Sequence, residues 1–272
     1  MNSRPHLTRR EALRLGAGAL LTAGLWPGAL RAGDADAGDF HFIVVNDLHY
    51  LDHHCGDWLT RVVRQMKGHA EKPGFCLVAG DLSEEGRAEP LAAVRDVLKG
   101  LGLPTYVVIG NHDYPSQDDR RPYEELYAGR LNYIFEHRGW QFVGLDTTEG
   151  QDARGTAVQP ATLHWLDDHL PKLDRKRPTV VFTHFPLGPW TPGRPTNADK
   201  TLDRFREHNL RAVFSGHWHG FTERRVRAIT LTTNRCCSFR RANHDGTKEK
   251  GYFLCHAHDG KVTRKFVEVP RA

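Results

Sequence analysis

The sequence predicts an α/β fold, on two observations: apolar β-type runs recur along the chain, and helical patterns fill the intervals between them. The strand runs are residues 40–45, 75–79, 105–109, 140–145, 179–183 and 212–214. Each is almost continuously hydrophobic, which suits a sheet covered on both faces. The helical candidates are residues 58–69, 88–101, 122–137, 160–170 and 197–208. Strand and helix therefore alternate from Phe40 to about His219, the order expected of strands joined by right-handed crossovers. With 272 residues and 39% hydrophobic content, a sizeable core is available.

From Phe221 the pattern changes to short β-type stretches, residues 225–233, 235–239, 251–257 and 261–269, with Asp245-Gly246 and Asp259-Gly260 as the expected hairpin turns. No obvious linker separates this part from the rest. We read residues 39–270 as one domain, with residues 221–270 as its C-terminal β section forming the second sheet.

Residues 1–32 have a grammar of their own. Thr8-Arg9-Arg10-Glu11-Ala12-Leu13-Arg14 precedes an apolar run from Leu15 to Trp26. This resembles a twin-arginine signal peptide, with cleavage after Ala32 or Ala37. The resemblance implies recognition by the twin-arginine export machinery and a periplasmic or extracellular location. The run is shorter than the roughly 20 residues a permanent span requires, so no membrane span is expected after processing. The leader also carries most of the formal charge of +5. The remainder is near neutral, which gives little support to stable nucleic-acid binding. Five cysteines (Cys55, Cys76, Cys236, Cys237 and Cys255) cannot all pair within one chain, and none has Cys-x-x-Cys spacing. Cys76 reads as a small core residue, and a bond from Cys236 or Cys237 to Cys255 is left open.

The chemistry sits behind the strands. Asp47-Leu48-His49, Gly80-Asp81, Gly110-Asn111-His112-Asp113, His184 and Gly216-His217-Trp218-His219 each follow an apolar run. Alternation along a strand would aim both members of Asp47/His49, and of His217/His219, to one side. Carboxylates mixed with imidazoles suit Mn, Fe, Zn or Co better than Ca. Strand carboxyl ends are also where open α/β sheets place their sites. Each motif alone is a common turn or a satisfied core histidine. Five of them in this order form a chelating set.

In that order the motifs resemble the calcineurin-like metallophosphoesterases, specifically over residues 40–220 and more loosely beyond. The resemblance implies a four-layer α-β-β-α sandwich, two mixed sheets flanked by helices, with a dinuclear metal site at the strand ends. It implies two divalent or trivalent transition-metal ions. Asp47, His49, Asp81 and His219 would hold one, and Asp81, Asn111, His184 and His217 the other, with Asp81 bridging. A metal-bridging hydroxide would attack phosphorus in line, and His112, not itself a ligand, would protonate the leaving oxygen. A carboxylate should orient that imidazole. Glu84 and Asp113 are the candidates, Glu84 favoured.

Within the family, Glu84 occupies the position where purple acid phosphatases carry a tyrosine ligand. Gly80-Asp81-Leu82-Ser83-Glu84-Glu85-Gly86 lacks the arginine of the Ser/Thr protein phosphatase signature. About 50 residues follow His219, too few for the second domain of secreted 5'-nucleotidases. The compact branch related to bacterial cyclic-nucleotide phosphodiesterases remains. The expectation is an exported phosphodiesterase acting on a small phosphoester. The alternatives are a broad phosphomonoesterase and a catalytically silent metal-binding interaction module. Tyr114, Trp190 and the loop 186–195 are expected to border the pocket; Arg240 and Arg241 are candidate grips for a phosphate oxygen or a distal acid group, with a surface position the favoured reading. His53, His54, His164, His169, His256 and His258 are assigned no chemistry.

Overall fold

The computed structural model describes residues 38–271; the proposed signal peptide lies outside the described residues. Two mixed β-sheets pack face to face with helices on their outer surfaces. The first sheet has the order β11-β10-β1-β2-β3, with β1 Phe40–Val45, β2 Cys76–Ala79, β3 Thr105–Val108, β10 Gly251–His258 and β11 Lys261–Glu268. The second has the order β4-β5-β6-β7-β9-β8, with β4 Tyr133–His137, β5 Trp140–Leu145, β6 Thr179–Thr183, β7 Leu210–Ser215, β8 Thr222–Val226 and β9 Ile229–Thr233. The helices are α1 His53–Lys67, α2 Ala88–Lys99, α3 Arg121–Leu126, α4 Pro160–His169 and α5 Ala198–Arg204.

Alternation along each strand divides its side chains between two cores. Phe40, Phe42 and Val44 of β1 meet Trp140 and Phe142 of β5, Phe182 of β6 and Phe214 of β7 between the sheets. Ile43 and Val45 turn the other way, onto Trp58, Leu59, Val62 and Met66 of α1. Val143 and Leu145 do the same on the second sheet, against Leu166 of α4 and Ala198 of α5. A strand buried on both faces must be apolar at every position, which is why these runs read as continuous.

The parallel central strands β1, β2 and β3, and β5, β6 and β7, run in register so that their carboxyl ends form one rim. The motif loops leave from that rim. Among the described residues no helix is long and apolar enough to cross a membrane.

Several expectations are corrected. The helix expected over residues 122–137 stops at Leu126, and residues 133–137 form β4. Gly129 sits at φ 72°, and the hairpin turn at Arg138 (φ 44°) and Gly139 (φ 82°) returns the chain antiparallel onto β5. The Phe135 ring stacks on Tyr106 with centroids 3.5 Å apart, a partner that no local pattern reveals. The C-terminal strands do not make a sheet of their own: β8 and β9 extend the second sheet beyond β7, whereas β10 and β11 extend the first beyond β1. Each hairpin covers backbone groups that would otherwise be an open edge beside a central parallel strand. Residues 235–239 are not a strand. Cys237 N donates to Asn46 O, and Ser238 Oγ accepts from Arg240 N and Arg241 N, turning the segment under the rim. His53 and His54 open α1, which Asp52 caps by accepting from His54 N and Cys55 N. All five cysteines are buried and unpaired, Cys76 among core residues.

Phe142 is fully buried and touches Phe40, Phe42, Phe75 and Phe135. Phe142→Ala is expected to cost about 3–5 kcal/mol by emptying the inter-sheet layer. Urea unfolding should show a lower midpoint with little change in slope.

Candidate metal centre

The donors gather at the carboxyl ends of β1, β2, β3, β6 and β7, but the strand pleat does not aim them. Asp47, His49, Asp81, His217 and His219 all lie beyond their strands with left-handed backbones, φ 54°, 46°, 51°, 63° and 46°. Such conformations are unfavourable for residues with a Cβ and concentrate at functional sites. Cross-links between the loops hold them. Asp47 N donates to Gly80 O, His49 N to Asp81 O and Gly216 N to His184 O. The carboxylates brace the neighbouring motifs too: Asp47 Oδ1 accepts from His217 N (3.0 Å) and Asp81 Oδ1 from His112 N (2.9 Å). Gly110 is required here, because a Cβ on it would stand 2.2 Å from both the amide nitrogen and Oδ1 of Asp81.

Four imidazoles share one arrangement. His184 Nδ1 donates to Ala79 O (3.0 Å), His219 Nδ1 to Ala242 O (3.3 Å), and His217 Nε2 to Ala153 O (3.0 Å). His49 Nδ1 lies 3.0 Å from Glu84 Oε2. A carbonyl or carboxylate can only accept, so each ring carries its proton on that outer nitrogen and keeps a lone pair on the other. This is the outer support that metal-binding histidines ordinarily have. His49 Nε2 and His219 Nε2, lone-pair atoms in the neutral rings, face each other at 3.0 Å. Asn111 is oriented in the same sense. Its Nδ2 faces Gln151 O, and its Oδ1 lies 3.1 Å from His184 Nε2.

Asp81 stands between two groups. Its Oδ2 is 3.4 Å from His49 Nε2, and its Oδ1 is 3.4 Å from His184 Nε2. Asp47 Oδ1 is 3.3 Å from His219 Nε2. Asp47, His49, Asp81 and His219 offer ligand atoms all within 4.8 Å of one another, and all are buried. Among the described residues no Lys or Arg side chain contacts either carboxylate. Burial alone would raise the Asp47 pKa, yet His219, His184 and His49 outweigh it and hold the group below the usual carboxylate range. Burial opposes the charge on His219 as well, but Asp47 pushes it up to about 11. Two buried carboxylates and a set of inward lone pairs fit metal ions, and the disposition of Asp81 suits a dinuclear centre.

The surrounding residues depart from expectation in two places. Glu84 does not primarily orient His112. Its carboxylate pairs with His49 Nδ1 and, on the other side, with the Arg241 guanidinium, while Oε1 is 3.7 Å from His112 Nδ1. Burial would raise the Glu84 pKa, but these hydrogen bonds hold it down at about 2. The group facing His112 Nδ1 more closely is the backbone oxygen of Glu84, at 3.1 Å. Asp113 is buried and turned away: its carboxylate accepts from Ser83 N and Gly110 N, both 2.9 Å, and pins the two motif loops together. Burial and the Asp81 charge push its pKa up to about 7.

A cavity of about 610 Å³ opens over the centre, lined by Asp81, Asn111, His112, His217 and His219. Its outer wall holds Arg154, Trp218, Arg241 and His244, with Pro192 and Gly193 from the loop expected to border it. Trp190 is 91% exposed and lines no part of it, and Tyr114 is buried against Thr148 beside a neighbouring cleft. Arg240 points outward to Asp52. The sequence reading missed His244, whose ring stacks on His219 at 4.7 Å and 10°, and Arg154. Neither belongs to a motif, and each reaches the cavity from a distant loop.

The two-sheet α/β sandwich and its buried Asp/His cluster, taken with the family and relatives below, make the chain a metal-dependent phosphoester hydrolase. The calcineurin-like phosphoesterase model matches residues 40–221, and the chain belongs to that family. The chain is similar to the glycerophosphodiester phosphodiesterase GpdQ of Enterobacter lignolyticus, 28% identical over 73% of this chain and 75% of that protein. It also resembles a 3',5'-cyclic-nucleotide phosphodiesterase of Nostoc (30%, covering 46% of each chain) and the serine/threonine-protein phosphatase CPPED1 of Rattus norvegicus (30%, 54% of each). The chain thus spans about half the length of these last two relatives. Among solved structures, purple acid phosphatase PPD1 of yellow lupin superposes with a TM-score of 0.61 at 12% identity, over 86% of this chain and 52% of that one. At that identity the likeness speaks for the fold alone.

Glu84→Gln is expected to weaken metal binding by about 10–100-fold by removing the carboxylate behind His49. Metal titration should show the loss, and excess metal should restore turnover.

Proposed function

We propose that this chain is an exported dinuclear phosphodiesterase acting on small phosphodiesters. The observation that carries the reading is Asp81, whose two carboxylate oxygens face separate donor groups, His49 and His184/Asn111. In this reading Asp47, His49, Asp81 and His219 hold one ion, and Asp81, Asn111, His184 and His217 the other, His217 through Nδ1. When bound, such a metal pair supplies Lewis-acid activation of water and neutralises charge on the phosphoryl oxygens. The bacterial phosphodiesterase relatives support the diester preference, and the leader motif supports export.

His112 is placed to serve the leaving group. Its Nδ1–H donates to Glu84 O, so Nε2 is the ring atom left to carry a transferable proton in the imidazolium form. Its side chain is about 30% exposed and lines the cavity, with the Glu84 carboxylate 3.7 Å from Nδ1. Arg241, fixed by Glu84, and Arg154 present positive charge to the cavity, where an anionic ester would lie. The open outer wall leaves room for a second ester substituent.

Hydrolysis of bis-p-nitrophenyl phosphate and p-nitrophenyl phosphate by the manganese-reconstituted protein tests the reading. The diester should be turned over faster, and a faster monoester would make the chain a phosphomonoesterase instead. His112→Ala should lower diester turnover by about 10²–10⁴-fold with metal content unchanged. Asp81→Asn should lose both metal and activity. No turnover of either ester by the fully metallated protein would favour the interaction-module reading.

A further inference from the structure

The spacing of the catalytic motifs occurs a second time at the opposite end of the first sheet. Asp39-x-His41 opens β1 and His256-x-His258 closes β10, repeating Asp-x-His and His-x-His on two neighbouring antiparallel strands. Register brings them together. His41 is the direct cross-strand partner of His256, and Phe40 is that of Ala257, so Asp39 stands beside His258. Here the pleat does aim the side chains: residues two apart share a face, and cross-strand partners have Cβ atoms about 4.5–5.5 Å apart. The face is the helix-covered one, shared with Ile43 and Leu254, but the four residues stand where it is open to solvent.

The four side chains already touch. Asp39 Oδ1 lies 2.5 Å from His256 Nε2, and Asp39 Oδ2 lies 3.1 Å from His258 Nδ1. The His41 and His256 rings are stacked, centroids 4.2 Å apart and planes 4° from parallel, and His258 stacks on His256 at 5.5 Å. Asp39, His41 and His256 offer one ligand atom each within 4.8 Å of one another. Both ends are reachable, with side-chain exposure of 57% for Asp39 and 34% and 54% for His256 and His258.

We propose that Asp39, His41, His256 and His258 form a second metal site, separate from the catalytic centre, for a divalent transition-metal ion such as zinc. One carboxylate with three imidazoles is a donor set that zinc takes in tetrahedral coordination. The parallel rings converge on one ion by rotation about the soft χ2 torsion of histidine. From His41 to Asp47 the chain runs six residues of strand and turn, roughly 20 Å at strand rise, so this ion does not share ligands with the catalytic ones. Its role is to tie the first strand of the domain to the C-terminal hairpin, at the end of the sheet where β1 begins and β10 finishes. The inference stands whatever ester the catalytic centre hydrolyses.

The test counts zinc on untagged, full-length, catalytically metallated protein equilibrated with micromolar free zinc. Elemental analysis of the wild type should give one zinc per chain more than His41→Ala/His256→Ala, with diester hydrolysis equal in the two. Added zinc should also raise the melting temperature of the wild type and not that of the double variant. Asp39→Asn and His258→Gln, at residues more than half exposed, provide variants whose folding is not at issue, and each should weaken this extra zinc several-fold. Equal zinc content in the wild type and all of these variants would overturn the proposal.

Discussion

The structure around the rim depends on one electrostatic constraint: Asp47 and Asp81 are buried carboxylates with no lysine or arginine of the described residues against them. A buried charge is tolerated only when paired. The chain answers with histidines whose protons are drawn outward by Ala79 O, Ala242 O, Ala153 O and Glu84, which turns their lone pairs inward. Lone pairs cannot neutralise carboxylates, so positive charge must come from protons or metal ions. The left-handed backbones at five donor positions are the conformational cost of bringing acceptors so close. Loop-to-loop hydrogen bonds and the two flanking cores keep that strain in place.

The same constraint gives the residues behind the donors their roles. Glu84 is braced between His49 and Arg241, so the positive charge of Arg241 is felt by the centre without touching its carboxylates. Asp113 spends both oxygens on backbone N–H groups of the Asp81 and Asn111 loops, which makes it a fastener between them. His112 is left as the one motif histidine whose free ring nitrogen is not committed to the donor cluster. The separation of donors from proton carrier thus arises from where each ring's first proton is hydrogen-bonded.

Much of the fold was legible because strands buried on both faces leave continuous apolar runs. β1, β5 and β6 begin and end where those runs do. β4 was not legible: its residues sit beside a genuine helix start at Arg121, and its strand state comes from pairing with β5 and stacking on Tyr106. The division of the C-terminal hairpins between the sheets was equally hidden, since an antiparallel strand reads the same whichever edge it covers. At the site, the motif residues could be found because short spacings at strand ends survive in one dimension. His244 and Arg154 could not, because they enter the cavity from loops with no pattern.

The sequence by itself determined the α/β alternation, the order of the motif loops and the chemical kinds of donor, since these follow from periodicity and residue type. Tertiary structure alone decided which nitrogen of each histidine faces inward, that Glu84 serves His49 before His112, and that Asp113 fastens loops. It also decided that Asp39, His41, His256 and His258 share a corner. Those outcomes depend on contacts between segments tens to hundreds of residues apart, and hydrogen-bond direction and strand register exist only once the segments are packed.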